Sequence, residues 1–159
     1  MIGVKFITLG TLKESYLREA AAEYEKRLGA FCKVQTVQLK EEKLPDSPSE
    51  GEIRQALDRE AQKIMAEIPP RAFKIAMCVE GKQMTSEALA KKLENIAMEK
   101  SEICFVIGSS YGLSDVVKSR ADMRMSVSEL TFPHQLMRVI LLEAIYRAFN
   151  IQKGTKYHK

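Results

Sequence analysis

The chain has two histidines in 159 residues, three cysteines, and no apolar run that approaches a membrane span. Cys32, Cys78 and Cys104 are an odd number without CxxC spacing, so they read as reduced core residues of a cytosolic protein. No cluster of metal-ligating residues is evident, and a metal cofactor is not expected. No GK[ST] follows the glycine loop and no GxGxxG occurs, which excludes a Walker A loop and a dinucleotide fingerprint. A nucleotide hydrolase is weakened further by the lack of a nucleophile elbow. No repeat, low-complexity stretch or linker divides the sequence, so residues 1–159 are expected to form a single domain. The opening MIGVKFITLG carries one lysine and no small-residue cleavage site; it reads as a first strand, not a signal peptide.

What is present is concentrated at one end. Residues 132–159 hold Arg138, Arg147, Lys153, Lys156 and Lys159 against Glu143 alone, which equals the net charge of +4 for the chain. Both histidines, His134 and His158, lie there too. Cations gain most from phosphates, so this end is expected to meet something anionic.

Strand and helix patterns alternate. Val4–Leu9, Val34–Leu39, Phe73–Val79, Ile103–Ile107 and Met123–Val127 read as strands. The unbroken apolar run ICFVI suits a central parallel strand buried on both faces. Helical periodicity predicts Glu14–Leu28, a helix after Ser47, one opened by Thr85, a short one from Ser114-Asp115, and a long one from Pro133 to about Asn150. Gly29 is placed to end the first helix. Ser47 is expected to cap the second, with Pro48 in its first turn and Glu50 completing the capping box. Ile53, Leu57, Ala61, Ile64 and Ile68 form its expected buried face, and Leu89, Leu93, Ile96 and Ala97 that of the third. Gly81 is expected in a turn. The alternation argues for an α/β fold, a mainly parallel sheet flanked by helices, which binds ligands at the C-terminal ends of its strands.

Four segments could carry chemistry. Gly108-Ser109-Ser110-Tyr111-Gly112 follows a central strand, where a loop can cradle a nucleotide or simply turn. Val127 to Phe132 combines hydroxyls with apolar walls, suited to adenine or ribose, or else is a helix entry. The Pro133–Asn150 helix is apolar nearly all round, so its second face needs a cover, most simply another subunit. Glu143 can pair with Arg147, whereas Arg138 lacks such a partner and is expected to meet a phosphate or carboxylate. The terminal Tyr157-His158-Lys159 is either a frayed end or a group able to stack, move a proton and hold phosphate.

Together these segments resemble the RlmH family of ribosomal RNA methyltransferases, within the SPOUT superfamily. The resemblance spans the chain. It rests on Gly10-Thr11-Leu12-Lys13, Glu23-Tyr24-Glu25-Lys26-Arg27-Leu28, Phe105-Val106-Ile107-Gly108, Thr131-Phe132-Pro133-His134-Gln135, Tyr146-Arg147-Ala148-Phe149 and Tyr157-His158-Lys159. It implies a SPOUT-type fold with a C-terminal trefoil knot, a homodimer, and N3-methylation of a pseudouridine in 23S rRNA of the ribosomal large subunit. It implies S-adenosylmethionine held by Met77, Gly108, Val127, Ser128, Glu129, Leu130, Thr131 and Phe132. His158, Tyr157 and His134 are the candidates for handling the N3 proton, and the sequence does not choose among them. Arg138, Lys153, Lys156 and Lys159 would hold RNA. Ser109 stands where family members commonly have a second glycine, and Tyr111 where the residue is often small or polar. A positive φ at Ser109 would strain it. That motivates a competing reading, a non-enzymatic ribosome-binding dimer that keeps the fold.

Overall fold

Strand and helix alternate without a break in the computed structural model, which describes residues 1–159. The elements are β1 (Gly3–Leu9), α1 (Ser15–Leu28), β2 (Lys33–Leu39), α2 (Glu50–Glu67), β3 (Phe73–Lys82), α3 (Ser86–Glu99), β4 (Glu102–Ile107), α4 (Asp115–Arg120), β5 (Met123–Met125) and α5 (His134–Lys153). One five-stranded sheet has the order β2-β1-β4-β3-β5, with every pairing parallel. β4 sits in the middle, as its apolar run requires.

Alternate residues divide the core into two layers. Ile103, Phe105 and Ile107 of β4 pack with Val4 and Phe6 under α1, α3 and α5. Cys104 and Val106 pack with Ile7, Leu9 and Ala76 under α2 and α4. Each fully buried aliphatic or aromatic side chain here contributes about 1.5–3 kcal/mol, and Phe6 stacks on Phe105 with centroids 5.6 Å apart. Burial pushes the Cys32 thiol up to about 11 and that of Cys104 up to about 12, so neither is a thiolate at neutral pH. Lys5 is buried in β1, and its Nζ donates to the Glu67 carbonyl at the end of α2 (2.7 Å). A cation there complements the helix dipole.

Local chemistry shifts several expected boundaries. α2 starts at Glu50, not Pro48. Its cap is Ser49, whose Oγ accepts from the Glu52 N–H (3.1 Å) while Glu52 accepts from the Ser49 N–H (3.1 Å). Both Ser47 and Ser49 satisfy the S-x-x-E pattern, but an earlier start adds no side chain that the core can bury. The buried stripe of α2 runs through Ala56, Glu60, Ala61 and Ile64, leaving Ile53, Leu57 and Ile68 half-buried. On α3, Ala90 is buried and Ala97 exposed. Gly29 ends α1 in right-handed geometry. Gly81 is not a turn residue. It lies inside β3, where a Cβ would come within 2.5 Å of the Met125 backbone, so only glycine lets β3 and β5 approach there. β5 stops at Met125, short of Val127.

α5 begins after Pro133, which is its cap, and continues past Asn150 to Lys153, where Gly154 closes it at φ 68°. It packs between α1 and α3, which cover its flanks and account for much of its apolar circumference. Leu141 and Ile145 face the core and are fully buried. Arg138 corrects the sequence reading. It is 5% exposed, and its Nη2 donates to the carbonyls of Leu9 and Gly10, both at 2.6 Å. It holds the end of β1 to the first turns of α5 and is not free for a phosphate.

Replacing Arg138 by Met keeps the apolar stem but strips two buried carbonyls of a charged donor. The expected loss is about 3 kcal/mol, seen as a lower urea midpoint; an unchanged midpoint would mean that the side chain lies in solvent. The two possible caps of α2 separate in the same way. Ser49→Ala should cost about 1 kcal/mol and Ser47→Ala close to nothing.

Candidate active site

All strands of a parallel sheet end at the same edge, and the expected cofactor residues converge there. Met77 lies at the end of the β3–β4 pairing, Gly108 follows β4, and residues 127–132 follow β5. β5 is the outer strand beside β3, whereas α5 starts against the end of β1, where Gln135 Oε1 accepts from the Lys13 N–H (3.0 Å). The segment Ser126–Pro133 therefore crosses the ends of β3 and β4. Three strand spacings make about 14 Å, well within reach of this segment.

The strap is shaped by its own hydroxyls. Ser126 Oγ donates to the Ser128 carbonyl (2.8 Å), and Ser128 Oγ accepts from the Leu130 N–H (3.0 Å). The amides of Val127, Ser128, Glu129, Thr131 and Phe132 donate to nothing within the chain. Leu130 is 71% exposed, and Val127 and Phe132 are half-buried. Free amide donors beside apolar walls suit a nucleoside. The Met77 side chain is buried in the core, so its backbone is what the edge can use.

Gly108 has a structural reason to be glycine. A Cβ there would come within 2.3 Å of the Gly112 carbonyl oxygen. The loop closes on itself, with the Gly112 N–H donating to the Ser109 carbonyl (2.9 Å) and Gly112 taking the positive φ, 86°. No non-glycine residue has a positive φ, so Ser109 is unstrained.

The C-terminal end is docked, not frayed. Tyr157 Oη donates to Glu143 Oε2 (2.5 Å), and its ring meets Tyr146 edge-on at 4.8 Å. Arg147 donates to Glu143 Oε1 (2.7 Å), as expected, and lies over the Tyr157 ring at 4.8 Å. Burial and the Glu143 carboxylate push the Tyr157 hydroxyl well above its usual range, so it remains a neutral phenol. His158 Nδ1 lies 3.2 Å from Arg147 Nη1, and Nε2 lies 2.7 Å from Glu87 Oε1. Arginine only donates, so Nδ1 accepts, and Nε2 carries the proton shared with Glu87. The bond to His158 holds the Glu87 carboxyl below its usual range. His134, the alternative histidine, lies at the other end of α5, 3.4 Å from Glu41 Oε1. Lys153, Lys156 and Lys159 are exposed.

Sequence reading missed a second group at the same edge. A cavity of about 760 Å³ opens beside the Gly108 loop, lined by Glu41, Glu60, Ser109, Tyr111 and His134 among others. Glu60 could have been found from its spacing, since it falls between Ala56 and Ile64 on the buried stripe of α2.

The family model described as "Predicted SPOUT methyltransferase" matches residues 2–158. The chain is 54% identical over 157 residues to the Ribosomal RNA large subunit methyltransferase H of Streptococcus thermophilus strain CNRZ 1066, covering 98% of this chain and 99% of that protein. It is 52% identical to the protein of the same name from Leuconostoc mesenteroides, over 99% of this chain and all of the relative. Among solved structures, it resembles a probable methylase family protein from Haemophilus influenzae Rd KW20 (TM-score 0.56, 16% identity, 99% of this chain and 71% of that one). It also resembles the tRNA (m1G37) methyltransferase of Aquifex aeolicus (TM-score 0.51, 16% identity, 91% and 69%). Those two likenesses are of fold; the match along nearly the whole sequence is of family, and the chain belongs to the SPOUT methyltransferases.

Proposed function

We propose that this methyltransferase modifies N3 of a pseudouridine in 23S rRNA of the ribosomal large subunit, as a cytoplasmic homodimer using S-adenosylmethionine. The RNA substrate is carried by one observation: about half of the residues, over nearly the full length, are shared with proteins named for methylating large-subunit ribosomal RNA. The unstrained Ser109 removes the motive for a non-enzymatic reading.

The strap fits the methyl donor. Its free amides can meet adenine and ribose, Val127, Leu130 and Phe132 can enclose the adenine, and the backbone at Met77 and Gly108 forms the floor. S-adenosylmethionine, when bound, supplies an electrophilic methyl group. The protein's contribution is then to position the acceptor base and to manage its N3 proton. Tyr157, kept neutral, can donate a hydrogen bond but not remove a proton. His158 is the better base, once its Nδ1 is released from Arg147. Release frees the tail to reach a cofactor bound mainly by the partner subunit. Lys153, Lys156 and Lys159 are placed to hold RNA as the tail moves.

Two measurements test this. In a chain lacking residues 157–159, calorimetry should give unchanged S-adenosylmethionine affinity while methylation of large subunits falls by about 100-fold or more, the range for losing a general base. His158→Ala should reproduce part of that loss, and raising the pH should partly restore it. Full activity in the truncated enzyme would leave His134 as the remaining histidine. For the dimer, Leu141 and Ile145 are unsuitable probes because both face the core. Ile140 is half-buried on α5, and Ile140→Lys should give a folded monomer by light scattering if this helix forms the interface, since a charge in an apolar interface is costly.

A further inference from the structure

Apart from His134, the groups that line the cavity beside the Gly108 loop have no part in the chemistry above. The cavity lies between residues 38–45, α2 and the loop Ser109–Tyr111. Its volume of about 760 Å³ is that of a small-molecule site. Resting on the RNA-methyltransferase reading, we propose that it receives one unpaired nucleotide of the substrate RNA, with the base stacked on Tyr111 and its N–H edge facing Glu41 and Glu60.

Three observations converge. Tyr111 is a large aromatic left 48% exposed at the wall of the cleft. An exposed ring in a cleft is a stacking platform for any base. The floor holds carboxylate acceptors. Glu60 is 4% exposed, with Oε2 accepting the Glu42 N–H (3.0 Å), and Glu41 Oε1 faces only His134 Nε2, at 3.4 Å. Burial pushes the Glu60 carboxyl up, against the bonds from the Glu42 N–H and Ser109 that favour its charged form. Carboxylate acceptors in the floor match a base edge that presents an imino N–H, as uracil and guanine do and cytosine does not. Finally, Lys13, Lys40 and Lys43 are exposed around the mouth, suited to the phosphates on either side.

Position gives the site its role. Ser109 directly follows Gly108, and His134 directly follows the strap, so two segments of the cleft's lining adjoin the proposed cofactor residues along the chain. An RNA strand with its target base at the strap would place a neighbouring nucleotide here. Tyr111 and the two glutamates would then select and position the strand without touching the methyl group.

The test is a titration of isotope-labelled protein with short oligouridylate and oligocytidylate, followed by NMR. The amides of Ser109, Ser110 and Tyr111 should shift with oligouridylate, and oligocytidylate should bind more weakly. Tyr111→Ala should weaken oligouridylate by about 10-fold, and Tyr111→Phe should restore it. Shifts confined to the C-terminal tail, or wild-type affinity in Tyr111→Ala, would overturn the proposal. Calorimetry with S-adenosylmethionine on the same samples keeps the two readings apart. Cofactor binding without movement at the cleft removes only the cleft, whereas binding at the cleft without cofactor affinity removes only the methyl-donor reading.

Discussion

The carbonyls at the end of β1 must find donors, and Arg138 supplies them from α5. Much of the working edge depends on that contact. It fixes the start of α5 over β1, although the preceding strand, β5, lies at the far side of the sheet. The connection therefore has to run across the ends of β3 and β4. A segment held at both ends and folded by Ser126 and Ser128 keeps its shape while leaving its amides free. That combination of fixed backbone and open donors is what a nucleoside site needs.

Close backbone approach is the second requirement at this edge. Gly81 lets β3 press against Met125, and Gly108 lets the following loop fold onto Gly112. Gly10, at φ 79°, brings the end of β1 against Glu41, where a Cβ would lie 3.2 Å from the carboxylate. These glycines permit contacts between backbones, or between backbone and side chain, that a larger residue would prevent. The loops they shape carry Ser109, Tyr111 and residues 127–132, so the packing of the edge and its chemistry share one set of constraints.

Charge at the C-terminal end is divided by tertiary contacts. Arg138 is buried on carbonyls and Arg147 is paired with Glu143, which leaves the terminal lysines as the exposed cations of residues 132–159. His158 is held between a cation and an anion, Arg147 and Glu87, with both ring nitrogens engaged. An end held by a few partly exposed polar contacts can leave its dock at modest cost. The Tyr157 ring, packed on Tyr146 under Arg147, is the firmer anchor.

Local periodicity and apolar runs carried the element order and the central place of β4, because burial on two faces leaves no room for polar residues in ICFVI. The family was legible because its motifs are short and contiguous, such as Thr131-Phe132-Pro133-His134-Gln135. The cap of α2 was legible only to within two residues, since two serines fit the same pattern and packing chose Ser49. Arg138 was misread because its partners lie far away in sequence, on the backbone of β1, and backbone acceptors leave no trace in a pattern of side chains. The cleft around Tyr111 and Glu60 stayed hidden for the same reason, as α2, the 38–45 loop and the glycine loop meet only in space. The sequence by itself determined the elements, their order and the family, which depend on local patterns of polarity and chain geometry. The tertiary structure alone decided which charged groups are buried, which are paired and which are open to a ligand, because desolvation and hydrogen bonding depend on neighbours distant in the chain.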